Sequence, residues 1–246
     1  MSAPHTGILC YVLAVAGPIF FMSMQLSFLQ TASKILTKRS DCKLSPLPFV
    51  SLVTNCIVMT MYAYLRSNAT IFVPNFSGLI VGIVCTIAYQ TFTEETKKGV
   101  FLISGLIIIW ATYFFLNNAA YPLGMIGVGL SVILMGSPLA TLRTVIVEKS
   151  TNSLPFATSV TTFLNALSWS LYGIIEVNDP IVYTPNLIGL FLAVIQLSLF
   201  LIYGFPSEAP EETKYTVVYT TNIMEVDSNL KKSLIPNEKK KIPSYV

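Results

Sequence analysis

Apolar residues fall in long, nearly unbroken runs along this chain, and polar residues are confined to the short gaps between them. The run "FLISGLIIIWATYFFL" at 101–116 holds no charge at all. A membrane-crossing helix needs about 20 consecutive apolar residues. Seven runs reach or approach that length: 7–32, 47–65, 75–93, 98–116, 121–142, 155–175 and 182–204. They fill most of residues 1–204 and predict an all-α integral membrane protein with seven transmembrane helices. The first run lacks the basic region of a cleavable signal peptide, since only His5 precedes it, and it is too long for a signal core, so it reads as a retained first helix.

Composition sharpens this picture. Hydrophobic residues make up 53% of the 246 and charged residues 11%, against about 45–50% and about 25% in soluble domains. A soluble surface could not be covered with so little charge. The four cysteines (Cys10, Cys42, Cys56, Cys85) follow neither a metal-binding spacing nor a disulfide framework and read as packing residues. No metal or cofactor is expected, and no nucleotide loop is present. Gly124, Gly127 and Gly129 follow no strand; with "GLIVG" at 78–82 they suit close helix packing.

Basic residues are asymmetric between the two sets of gaps. One set holds eight (Lys34, Lys38, Arg39, Lys43, Lys97, Lys98, Arg143, Lys149) and the other holds only Arg66. Cytosolic loops carry the excess of Lys and Arg. The N-terminus is therefore expected outside or in a lumen, and the tail in the cytosol. The sequon "NAT" at 68–70 then lies in an outer loop, which makes Asn68 a candidate glycosylation site; "NFS" at 75–77 falls inside a helix.

One junction is written twice. "ILTKRSDCKLSPLPF" (35–49) and "VIVEKSTNSLPF" (145–156) both run from aliphatic residues through a basic cluster and Ser to Leu-Pro-Phe. Superposing Pro48 on Pro155 aligns two three-helix blocks. "MYAYL" and "VPN" (73–75) in the first match "WSLYG" and "TPN" (184–186) in the second, and each block enters its third helix through Pro-Asn. The fourth helix stands alone between them. Because three is odd, one linking helix lets both blocks face the same way, as a parallel repeat about an axis along the membrane normal. Such an axis puts a substrate path between the halves. The expected division is 1–96 for the first triple-helix repeat, 97–118 for the linker helix, 119–204 for the second repeat and 205–246 for a disordered cytosolic tail.

The 3+1+3 plan, "SPLATLRTVIVEKSTNSLPF", "ALSWSLYG" and "DPIVYTPNLIG" resemble the SWEET sugar transporters, the MtN3/saliva repeat family of the PQ-loop-related superfamily. The resemblance covers roughly residues 7–204 and is strongest in the second repeat. It implies two parallel triple-helix bundles joined by a linker helix, and facilitated diffusion of mono- or disaccharides by alternating access, in homo-oligomers. It also implies a set of residues. Hinge prolines at the cytosolic gate correspond to Pro48, Pro138 and Pro155, while Phe28 stands where the first helix would carry the fourth. A proline removes a helical hydrogen bond and permits bending, although Pro48 and Pro155 equally suit simple helix starts.

The same resemblance places Asn75 and Asn186 against the sugar. An amide both donates and accepts, which suits vicinal hydroxyls; gluing helices together is the other use of such a residue. Trp169 corresponds to the aromatic that faces the sugar ring, with an interfacial-belt tryptophan as its alternative. It lies about 21 Å along its helix from Pro155 at about 1.5 Å per residue. Met59 takes a position that often carries a small polar residue. Tyr62 and Asp179 would face each other as an outer gate.

Near the middle of the seven runs there is no Asp, Glu, Lys or Arg. Ion-coupled pumps usually carry a buried carboxylate there, so a uniporter is favoured over a proton-coupled carrier. The tail has six lysines and six acids. Its "KKSLIPNEKKKIPSYV" suits anionic lipid, and its terminal "SYV" and its "YTVV" at 215–218 resemble short ligands for cytosolic tail-binding proteins. Two other functions fit seven helices: a PQ-loop-type transporter of amino acids or other small polar solutes, and a seven-helix receptor or trafficking adaptor. No Pro-Gln dipeptide occurs in the chain, and the repeat argues against a receptor. The protein is not expected to be an enzyme, and its expected place is the plasma membrane or an endomembrane of Golgi or vacuole type. Protease added outside intact cells that carry the protein at their surface should leave the 205–246 tail whole and clip it only after permeabilisation; clipping in intact cells would invert the orientation.

Overall fold

The computed structural model describes residues 4–40, 44–93, 98–134 and 136–205. Among them every regular element is helical: α1 (Pro4–Lys38), α2 (Leu47–Leu65), α3 (Ala69–Phe92), α4 (Lys98–Leu116), α5 (Ala120–Leu134), α6 (Gly136–Glu148), α7 (Phe156–Leu171) and α8 (Pro180–Tyr203). A π-helical turn, Tyr172–Glu176, continues α7. The predicted tail lies outside the described residues.

Among the described residues five stretches are long and apolar enough to cross a bilayer: Cys10–Lys38, Leu47–Leu65, Ala69–Phe92, Lys98–Leu116 and Pro180–Tyr203. The fifth apolar run is covered by α5 and α6, which flank residue 135, and the sixth by α7 with its π turn. Helix α4 shows what surrounds the protein. Only Ala111 is buried on it, while Ile103, Ile109 and Leu116 are 61%, 65% and 72% exposed. An apolar helix displayed this way would be an aggregation surface in water and is at home against lipid.

Helix α3 packs on both α1 and α2, and α8 packs on α5, α6 and α7. The two groups meet where α1 lies against α7 and α2 against α5. Helix α4 rests on α2 and α5, tied to α2 by the 2.5 Å bond between the hydroxyls of Thr54 and Ser104. Small residues allow these approaches. A Cβ on Gly124 would sit 2.7 Å from Ile181, on Gly127 2.5 Å from the Met59 sulfur, and on Gly82 2.8 Å from Val53. Gly129 does not belong with them: it faces open space, because it points away from the α2–α5 seam.

The repeated junctions fold alike. Arg39 after α1 and Lys149 after α6 both take left-handed backbone, φ 49° and 51°. In both, the next amide reaches five residues back, Ser40 to Ile35 and Ser150 to Val145, each at 3.3 Å. This is the 6→1 bond of a Schellman stop. At the opposite end Ser67 and Asn178 turn the chain in the same conformation, φ 50° and 48°. The corresponding return bonds are Asn68 to Ala63 at 3.0 Å and Asp179 to Gly173 at 2.9 Å. The second return spans one residue more, and the π turn absorbs it.

Two helix starts differ from the sequence expectation. Helix α3 begins at Ala69 and α8 at Pro180, so Pro74 and Pro185 lie inside helices rather than at their mouths. The reason is capping: Asn68 and Asp179 supply side-chain oxygens to Ile71 N and Ile181 N and start each helix earlier. A methyl on Gly173 would fall 2.9 Å from the backbone nitrogen of Tyr183, which no rotamer change can relieve. Gly173→Ala should therefore cost about 1–3 kcal/mol and lower the melting temperature of the purified protein. Gly129→Ala should leave it unchanged; equal melting of the two would show that the α7–α8 corner is not tightly closed.

Candidate functional site

Asn75 and Asn186 each follow a proline within a helix, and each turns its amide back on its own backbone. Asn75 Nδ2 donates to Ile71 O at 2.8 Å and Asn186 Nδ2 to Val182 O at 2.6 Å. The proline before each has no N–H to give to the carbonyl four residues back, Thr70 O or Ile181 O; the asparagine amide bonds the next carbonyl along. Among the described residues neither Oδ1 is committed to a hydrogen bond, so each remains an acceptor for an outside donor. Asn75 is buried and Asn186 half-buried.

The two carbonyl-bearing residues share one cluster. Ile71 and Val182 belong to one buried cluster with Leu13, Ala63, Trp169 and Tyr172, and Met59 packs against it. Four predicted site residues thus converge, two directly and two through the next turn of their helices, where α1, α2, α3, α7 and α8 come together. Trp169 is only 7% exposed, unlike Trp110 on α4 at 59%, so it is not a belt tryptophan facing lipid. Its indole lies over Gly17, where a Cβ would approach to 3.1 Å, and it stands edge-on to Tyr172 with centroids 5.7 Å apart.

At the Asp179 end, the Tyr62 hydroxyl donates to Asp179 Oδ2, and Arg66 Nε lies 3.8 Å from the same oxygen. Asp179 is 5% exposed. The tyrosine comes from α2 and the carboxylate starts α8, so the contact joins the two groups of helices. The Arg66 side chain is half exposed and adds little, as surface ion pairs do. Asn68, read from the sequence as a sequon, is the α3 cap and bonds the hydroxyl of Tyr172.

The prolines sit elsewhere. Pro48 occupies the first turn of α2 and Pro155 caps α7, while Pro138 falls at the third residue of α6. Pro48 and Pro155 stand where a missing N–H breaks no internal bond, and Pro138 lies three residues after residue 135, which is outside the described residues. Helix α1 runs unbroken through Phe28, whose ring meets Phe49 edge-on at 6.3 Å and whose carbonyl accepts from Cys85 Sγ at 3.3 Å.

Sequence reading overlooked two polar residues. Gln25 on α1 is 5% exposed; its Nε2 donates to Pro74 O at 3.2 Å, and its Oε1 accepts from Ser77 Oγ at 3.3 Å. It therefore holds the residue just before Asn75. Asn165 on α7, one turn from Trp169, buries an Oδ1 with no partner among the described residues. A lone amide within an apolar run was the available signal for both.

A helical membrane protein with two similar halves, and with amides and an indole gathered at their junction, has the build of a solute carrier. The family model described as "Sugar efflux transporter for intercellular exchange" (MtN3_slv) matches residues 11–97 and again 121–207, and the chain belongs to that family, one of transporters rather than enzymes. It is 30% identical to the bidirectional sugar transporter SWEET2 of Arabidopsis thaliana over 84% of this chain and 92% of that one. It is 28% identical to the sugar transporter SWEET1 of Rattus norvegicus over 85% and 96%. The solved structure of a eukaryotic SWEET transporter superposes with a TM-score of 0.71 at 24% identity, covering 80% of this chain and 98% of that one.

Removing the hydroxyl in Tyr62→Phe leaves a buried carboxylate short of a donor, at about 1–3 kcal/mol. The variant should melt at lower temperature than the parent, and Asp179→Asn, which keeps the cap oxygen on Ile181 N, should add little when combined with it. Additive losses would mean that the two side chains act separately.

Proposed function

We propose that this protein carries mono- or disaccharides down their gradient, in both directions, by alternating access between two triple-helix halves. In this reading α1–α3 form one half, α5–α8 the other, and α4 links them in a 3+1+3 plan, with residues 1–96, 97–118 and 119–204 as the units. The observation that carries it is the matched pair of Pro-Asn turns. Each presents an uncommitted amide oxygen, and both rest on one cluster that contains Trp169, within a chain whose halves both match the sugar efflux transporter family.

The chemistry follows from these groups. Asn75 and Asn186 offer acceptors to sugar hydroxyls, and Trp169 offers a flat apolar face to the C–H side of a pyranose ring. Met59 lines the path with a thioether rather than a hydroxyl and trims its hydrogen bonding. Tyr62 and Asp179 close the outer end. Pro48, Pro138 and Pro155, at or next to helix starts, give the opposite end its bending points, and Phe28 packs there in place of a fourth. The N-terminus faces outward or into a lumen, and the tail faces the cytosol.

Purified protein in liposomes should equilibrate labelled glucose or sucrose across the membrane and not amino acids. Accumulation above the outside concentration under an imposed proton or sodium gradient would overturn the uniport reading. Asn75→Ala and Asn186→Ala should each cut uptake per folded molecule about ten- to a hundredfold, the equivalent of about 1–3 kcal/mol for unpaired hydroxyls. Near-normal uptake by both would remove these residues from the site.

A further inference from the structure

The Tyr62–Asp179 contact has a counterpart. Asn68 is the cap of α3 as Asp179 is the cap of α8, with Oδ1 accepting from Ile71 N at 3.1 Å and from Ile181 N at 3.0 Å respectively. Each cap stands seven residues before the Asn of its own Pro-Asn pair. Each is also held by a tyrosine of the other half. Tyr62 donates to Asp179, and the Tyr172 hydroxyl lies 3.0 Å from Asn68 Nδ2, which donates to it, and 3.2 Å from Oδ1. Tyr62 and Tyr172 are themselves matched, six residues before Asn68 and seven before Asp179. The extra residue is taken up by the π turn, an insertion often found at functional places, and Gly173 lets the start of α8 close against it.

We propose that Asn68 and Tyr172 form a second clasp across the Asp179 end, the repeat-related mate of Tyr62–Asp179, and that Asn68 is a gate-positioning residue rather than a glycan acceptor. This rests on the alternating-access reading above. With one clasp the halves could pivot about it; with two, both bonds must break before that end opens. The second clasp also leads inward, because Tyr172 is buried edge-on against Trp169. Opening the end therefore moves the aromatic neighbour of the ring proposed to face the sugar. A glycan on Nδ2 would take the space that the Tyr172 hydroxyl fills.

The test places a cysteine at Ala63, fully buried beside Tyr62, in a Cys10→Ser, Cys42→Ser background that leaves only the buried Cys56 and Cys85. Its reaction with a maleimide is timed in membrane fragments open on both sides. Asn68→Ala and Tyr172→Phe should each speed labelling about fivefold to tenfold, the factor that corresponds to losing about one hydrogen bond. The double variant should label no faster than either single. Asn68→Asp keeps an acceptor for both Ile71 N and the tyrosine and should label at the parent rate, as should Thr70→Ala, which removes only the sequon. Unchanged labelling in Asn68→Ala and Tyr172→Phe, or multiplying effects in the double variant, would overturn the clasp. So would a glycosidase-sensitive band lost in Thr70→Ala, or a rise in labelling shared by Asn68→Asp and Thr70→Ala. Labelling needs no sugar, so a parent protein that fails to move glucose or sucrose while showing this labelling pattern would overturn the transport reading and leave the clasp standing.

Discussion

Inside a bilayer a backbone group without a partner costs several kcal/mol, and this constraint shapes each distinctive feature of the molecule. Pro74 and Pro185 each remove an N–H from the interior of a long apolar helix. The carbonyls that lose this donor are those four residues back, Thr70 O and Ile181 O, and the nearby side chains bond other carbonyls of the same helices. Asn75 and Asn186 bond the carbonyls of Ile71 and Val182, while Gln25 and Ser77 both reach Pro74 O, at 3.2 Å and 2.8 Å. These polar side chains are thereby held on backbone carbonyls in apolar surroundings, and among the described residues the Oδ1 atoms of Asn75 and Asn186 accept no hydrogen bond.

The halves are alike where the chain turns and unlike where they meet. Arg39 and Lys149 make the same left-handed stop, and Asn68 and Asp179 cap equivalent helices. Yet one cap is a neutral amide and the other a carboxylate, and a single extra residue is stored as a π turn. Helix α1 passes Phe28 without interruption, whereas Pro138 stands in the first turn of α6. The two halves therefore need not bend equally at the end opposite Asp179. Phe28 instead joins a packed aromatic group with Phe49 and Tyr89, which favours rigidity on that side.

Burial separates roles that composition cannot. Trp110 and Trp169 are the chain's two tryptophans, one on lipid-facing α4 and the other over Gly17 at the seam. Gly127 and Gly129 are two residues apart, yet the first admits Met59 and the second touches nothing. In both pairs the residue type is constant, and the face of the helix decides what it does.

The sequence by itself determined the helical class and its apolar, membrane-crossing character, because hydropathy over about 20 residues is a property of the local chain. It also carried the repeat, since Leu-Pro-Phe and Pro-Asn are local signals in matching order, and the family resemblance on top of it singled out Asn75, Asn186 and Trp169 as candidates. Only the tertiary structure decided where α3 and α8 begin, for Asn68 and Asp179 cap them upstream of their prolines. It alone joined Tyr172 to Asn68 and Gln25 to Pro74, contacts across 104 and 49 residues of chain. No periodicity encodes such pairs: they depend on how α1 is brought against α3 and α7, and helix packing is set by shape summed over whole faces, not by any single residue.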